Sequence, residues 1–144
     1  MPETYPGKPV YLLACVSRKL SFPAPARDLY CSDWFRKAQA YAQEHGAWMV
    51  LSAKHGLIAH DEVIAPYEMT LNSMGASERR TWSDRVIASI KREVEDDRPL
   101  VILAGQRYRE HLVAWAPDRI SVPMKGLAIG QQLAWLYANT RIQL

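Results

Sequence analysis

Apolar positions along the chain follow two alternating patterns. Four short apolar runs, Val10 to Val16, Ala47 to Leu51, Leu100 to Ala104 and Ile120 to Val122, are each followed by a segment in which apolar residues recur every three or four positions. Unbroken runs suit strands of a parallel sheet covered on both faces, and the second spacing suits amphipathic helices packed against such a sheet.

The first helix is predicted over 33–45, with Ser32 as its cap, Gly46 as its stop, and Trp34, Ala38, Tyr41, Ala42 and His45 on one face. The second runs over 77–95, where Trp82, Val86, Ile90 and Val94 repeat every four residues. The third, 106–115, shows Tyr108, Leu112 and Trp115; the last, 129–139, shows Ile129, Leu133, Leu136 and Tyr137. Trp34, Trp82, Trp115 and Trp135 read as core anchors of these faces.

Four strand-then-helix units joined by right-handed crossovers predict a three-layer α/β/α domain around a central, mainly parallel four-stranded sheet. The length of 144 residues fits one domain over 1–144, with the proline-rich residues 1–9 as an N-terminal tail. The stretch 52–75 reads as a long irregular loop. Its Leu57, Ile58, Val63, Ile64, Tyr67, Met69 and Leu71 are too apolar for disorder, so it is expected to pack.

Ligands of open α/β sheets gather beyond the carboxyl ends of the strands, so the loops after the four runs should share one rim. These loops carry Ser17-Arg18-Lys19, Ser52-Ala53-Lys54-His55-Gly56, Gly105-Gln106-Arg107 and Met124-Lys125-Gly126. The net charge of +3 is slight, but Glu93, Glu95, Asp96 and Asp97 concentrate acid at the end of the second helix, which leaves the rim basic. A basic rim with embedded Tyr suits a nucleic-acid backbone and an exposed base.

Two cysteines make no disulfide framework, nothing near the N-terminus resembles a signal peptide, and no run approaches the ~20 apolar residues of a membrane span. A cytoplasmic protein with no membrane partner and no obligate protein partner is the expectation. Without a glycine-rich phosphate motif or a compact Cys or His pair, no nucleotide cofactor and no metal are expected.

His55 combines a group titrating near neutrality with a strand-end position, so it is a candidate to stabilise a departing base; the other reading is a turn histidine bonded to a backbone carbonyl. Glu68, among apolar neighbours in Ile64 to Asn72, is the candidate general base, with an ion pair to a loop Arg as its alternative. Tyr67 is the candidate stacking platform, or else core filler. The base-binding set is completed by Cys15, Ser17, Gln106 and Asn72, where Gln106 reads a base edge and Cys15 is more simply small filler than nucleophile. Arg18, Lys19, Arg27, Lys54, Arg107 and Lys125 are the candidate DNA-binding cations, holding phosphates or a polar base substituent.

The pieces Cys15-Val16-Ser17-Arg18-Lys19, Pro25-Ala26-Arg27-Asp28-Leu29-Tyr30, Leu51-Ser52-Ala53-Lys54-His55-Gly56-Leu57 and Pro66-Tyr67-Glu68-Met69-Thr70-Leu71 resemble a family of small bacterial and phage domains of formerly unknown function. The third and fourth are also similar to segments of the peroxide-stress DNA-binding proteins and of the glycosylase-like domain of archaeal tRNA-guanine transglycosylases. That group is similar in architecture to uracil-DNA glycosylases, and small members are implicated in removing hypermodified bases, such as glycosylated hydroxymethylcytosine, from phage DNA as an antiviral defence. Lys125 to Gln132 is similar to the last glycosylase loop and helix. The chain lacks the Gly-Gln-Asp-Pro-Tyr-His water-activating loop and the His-Pro-Ser loop of the uracil enzymes.

The resemblance implies a uracil-DNA glycosylase-like fold and an enzyme that hydrolyses the N-glycosidic bond of a modified base extruded from double-stranded DNA, leaving an abasic site. A Lys nucleophile forming an imine with the sugar is a variant of this mechanism. Two other classes stay open: a non-catalytic DNA-binding stress protein, and a small-molecule nucleoside or base-modification enzyme.

Overall fold

The computed structural model describes residues 8–14 and 18–141. In chain order its elements are β1 (Val10–Leu13), β2 (Ala24–Pro25), α1 (Ala26–Leu29), α2 (Asp33–His45), β3 (Ala47–Ser52), β4 (Gly56–Ala59), β5 (Val63–Ile64), a 3-10 turn (Leu71–Ser73), α3 (Ala76–Glu93), β6 (Leu100–Leu103), α4 (Gln106–Trp115), β7 (Ile120–Ser121) and α5 (Ile129–Ala138). The expected first strand continued to Val16; residues 15–17 lie outside the described residues.

The central sheet has five strands, in the order β4-β3-β1-β6-β7. β3, β1, β6 and β7 are mutually parallel, and β4 joins as an antiparallel edge. The expectation of four strands therefore missed β4, inside the stretch read as irregular. Its cause is local: Gly56 takes a left-handed backbone (φ +77°), which lets residues 53–55 turn the chain back so that Ser52 pairs with Gly56 and Val50 with Ile58. A second, two-stranded sheet pairs β2 with β5.

Side chains alternate across the sheet, so each face acquires its own core. Tyr11, Leu13, Val50 and Leu103 pack with Phe35, Ala38 and Ala42 of α2 and Leu136 of α5. Val10, Leu12, Leu51 and Ile102 pack with Trp82, Val86 and Ile90 of α3 and Leu112 of α4. This sandwich, α2 and α5 on one side and α3 and α4 on the other, explains why β1 is buried at all four positions and reads as an unbroken apolar run. Gly46 is needed for close approach, because a Cβ there would stand 2.6 Å from the Pro9 carbonyl oxygen.

Some helix faces differ from the expected ones. On α2 it is Phe35, fully buried, that fills the core, while His45 is exposed and Trp34 half-buried. On α5, Ile129 and Tyr137 are exposed rather than inward, and Trp135, like Trp115 at the end of α4, is only partly covered. No helix among the described residues is long and apolar enough to cross a membrane.

The α2 core contains a titratable pair. Burial, and then the neighbouring Tyr11, pushes the Tyr41 phenol from 10.0 up to about 12, and burial also raises Tyr11. A raised phenol contributes stability that is fully present below pH 10 and is lost as pH climbs toward 12. Tyr41→Phe should therefore retain more of its stability across that alkaline window than the native chain does, as read by denaturant unfolding on either side of it; an identical alkaline decline in both proteins would exclude Tyr41 as the cause.

Candidate functional site

The parallel strands β1, β3, β6 and β7 all run in one direction, so their following loops lie along one rim, and the acidic run after α3 precedes β6 at the opposite end. Two pinned segments shape the rim. Residues 18–31 leave and return as a closed excursion: Lys19 bridges Tyr30, the Leu20 amide donates to the Leu29 carbonyl at 2.8 Å, and the Cys31 amide to the Arg18 carbonyl at 3.0 Å. Residues 66–73 are held at one end by Tyr67 and at the other by Tyr108, whose hydroxyl lies 3.3 Å from the Thr70 hydroxyl and accepts from the Leu71 amide at 3.3 Å.

Tyr67 is fixed by a chain of hydroxyls. Fully buried Ser52 accepts the His55 amide at 3.0 Å and donates to the Tyr67 hydroxyl at 2.9 Å, and Tyr67 lies 2.6 Å from the Tyr30 hydroxyl. With Ser52 donating, Tyr67 either passes its single proton to Tyr30 or accepts from it as well through its second lone pair. The Lys19 ammonium sits over the Tyr67 ring, 4.6 Å from its centroid, and 5.6 Å from that of Tyr30. The exposed His55 ring stands edge-on to Tyr67 at 5.8 Å between centroids, interplanar angle 90°. Lys19, Leu20, Ser21, Pro66, Tyr67 and Glu68 line a recess of about 590 Å³.

Lys19, Tyr67 and Glu68 thus line one recess, and His55 meets the Tyr67 ring, but two expected roles change. Tyr67 is no free stacking platform, because Lys19 covers one ring face and the hydroxyl is engaged on two sides. It positions the lysine and the histidine instead. Glu68 is exposed rather than enclosed by apolar neighbours, and among the described residues it makes no ion pair, so its alternative as a structural partner of a loop Arg is not seen. Nor does the His55 ring bond to a carbonyl among the described residues.

The rim does not gather its candidates into one cavity, since Lys19 and Glu68 line one recess, Arg107 another, and Lys54 and His55 neither. Asn72, Gln106 and Arg107 line a separate recess of about 370 Å³ with Arg79 and Glu110, and the pinned segment 66–73 supplies walls to both. Arg79 and Glu110 are paired at 2.8 Å, and Arg79 also donates to the Met74 carbonyl at 2.7 Å, which leaves Arg107 as the exposed cation of that recess. Lys54 is exposed at the tip of the β3–β4 hairpin, its carbonyl accepting from Arg85 at 3.2 Å. Arg27 lies 3.9 Å from Asp28, and Arg18 and Lys125 are exposed and line none of these recesses. Cys15 and Ser17 lie outside the described residues. Ser52 and Tyr30, which fix the site, were given no role from sequence; the available signal was a buried-strand Ser immediately before a Gly-containing turn.

The fold and rim define a mixed α/β protein with a central, mostly parallel sheet flanked by helices. The chain belongs to DUF6884, a family of unknown function, whose model matches residues 10–138. It is also similar to the uncharacterized protein YfjM of Bacillus subtilis (strain 168), 31% identical over 94 residues, which are 64% of this chain and 62% of that protein. The match therefore spans less than two thirds of that relative's length.

Proposed function

We propose that this chain is a DNA base-handling enzyme of uracil-DNA glycosylase-like architecture, which accepts an extruded, modified base at the rim and hydrolyses its N-glycosidic bond. The observation that carries this reading is the recess that Lys19 and Glu68 line together with Tyr67, whose ring the Lys19 ammonium covers and the His55 ring meets edge-on. When a glycosidic bond breaks, the sugar becomes cationic and the base leaves with the bonding electron pair, so opposite charges are needed a short distance apart. Glu68 orients the attacking water, takes its proton and stabilises the sugar cation. His55 stabilises the departing base, and Lys19 holds a phosphate or a polar substituent on the base. Arg107, Gln106 and Asn72, in the neighbouring recess, track the strand on one side, and Lys54 at the hairpin tip on the other.

The experiment is incubation of the purified protein with unmodified DNA and with a panel of phage DNAs carrying hypermodified bases, followed by mass spectrometry of liberated bases and an assay for abasic sites. Release from a modified DNA alone is expected. Salt-dependent binding to all the DNAs with no base released from any would instead favour the non-catalytic class. In the variant mechanism the Lys19 amine attacks the sugar carbon and displaces the base, and an imine forms on ring opening; borohydride traps protein on DNA by that route and not by the water route.

A further inference from the structure

The crevice that topology predicts in this sheet lies on the other side of β1 from the Lys19 recess. Chain leaving β1 passes to β3, and chain leaving β6 passes to β7, so the connections diverge at the boundary between β1 and β6. A cavity of about 260 Å³ opens there, and among the described residues none of those expected from sequence to bind or react lines it. Its walls include Ala14, Ile102, Leu103, Val122, Met124 and Ile129.

Polar groups in this wall are few and their commitments can be followed. The Trp34 indole donates to the Gln132 carbonyl oxygen at 2.8 Å, and the Gln132 amide donates to the Leu127 carbonyl at 2.9 Å, so this pair forms a fixed wall. The half-buried Arg109 uses Nη1 to hold the Ala104 carbonyl at 2.8 Å; among the described residues its other guanidinium nitrogens make no hydrogen bond or ion pair. Among the described residues no carboxylate lines the cavity. A guanidinium oriented by one bond, uncompensated and set beside apolar walls, selects an anion or a strong acceptor over a cation. The volume lies below the about 300 Å³ at which drug-sized pockets begin, which limits the occupant to one ring system. At the mouth, Gly105 leaves open space, with nothing within 4 Å of where a Cβ would stand.

We propose that this cavity is a ligand site in its own right, taking a single planar ring whose anionic or carbonyl oxygen is turned toward Arg109. The assignment stands on the cavity alone and does not depend on base release at the Lys19 recess. Calorimetric titration of the full chain with orotate, an anionic pyrimidine, and with uracil, the same ring without the carboxylate, tests it. Saturable orotate binding is expected, with uracil weaker by at least about tenfold. Arg109→Met should erase that preference. Ile129→Trp, which fills the cavity from an exposed position, should abolish binding of both rings, and Gly105→Leu closes the mouth if the first variant does not fold. A short single-stranded oligonucleotide that competes with orotate assigns the ring to nucleic acid; one that does not assigns it to a free small molecule. Failure of orotate to bind the folded native chain, or equal binding by a folded plugged variant, overturns the proposal.

Discussion

Truncating Trp82 to alanine is expected to destabilise the protein by about 3–5 kcal/mol, a large share of the roughly 5–15 kcal/mol that holds a domain folded. The indole is only 4% exposed, packs edge-to-face on Tyr108 with centroids 5.6 Å apart, and donates to the Ser52 carbonyl at 2.9 Å. It thus ties α3 and α4 to the last residue of β3, whose hydroxyl holds Tyr67. Trp82→Phe separates the two contributions. Phenylalanine keeps most of the packing and strands the carbonyl, which should cost about 1–3 kcal/mol. Denaturant unfolding measures both variants, and a loss below 1 kcal/mol for alanine would mean that the helix layer is not anchored here.

The second large effect is on chemistry. If Glu68 is the general base, Glu68→Gln should lower base release by a factor on the order of 10²–10⁴. Thermal stability and DNA affinity should stay close to native, because the side chain is exposed and makes no ion pair among the described residues. A positioning role would behave differently. Tyr67→Phe removes a hydroxyl bonded to Ser52 and Tyr30, so it should lower stability as well as rate. Glu68→Gln releasing base at the native rate from a DNA that the native protein cleaves would remove Glu68 from the reaction. In that case the imine route through Lys19 is the one to examine, by borohydride trapping with Lys19→Met as the control.

Most of the layer structure was legible because it depends on local chemistry. α2 runs from Asp33 to His45 as its spacing and caps predict; the Ser32 hydroxyl accepts the Phe35 amide at 3.1 Å, and Gly46 follows where a side chain would meet the Pro9 carbonyl. α4 likewise begins and ends at the expected residues, and the buried series Trp82, Val86, Ile90 and Val94 is the inward face of α3 and its cap. Less legible was β4, since a four-residue edge strand after a three-residue turn carries too short a pattern to separate from packed loop. The misplacement of Trp34, Ile129 and Tyr137 has a related cause: spacing finds an apolar stripe on a helix, but neighbouring helices decide how much of it they cover.

For the site, sequence by itself determined which residues follow the parallel strands, and with them the rim and the candidates Lys19, His55, Tyr67 and Glu68. Direction of a strand and periodicity of a helix are set by residues close in the chain, so the rim could be read without coordinates. Only tertiary structure decided which candidates share a space. Tyr67 meets Ser52 across 15 positions and Tyr30 across 37, and such bonds depend on how the excursion 18–31 and the segment 66–73 fold onto the sheet. That same packing sent Arg107 and Asn72 to another recess and opened the cavity beside Arg109, because a hydroxyl or a guanidinium finds its partner through space, in directions that spacing along the chain does not encode.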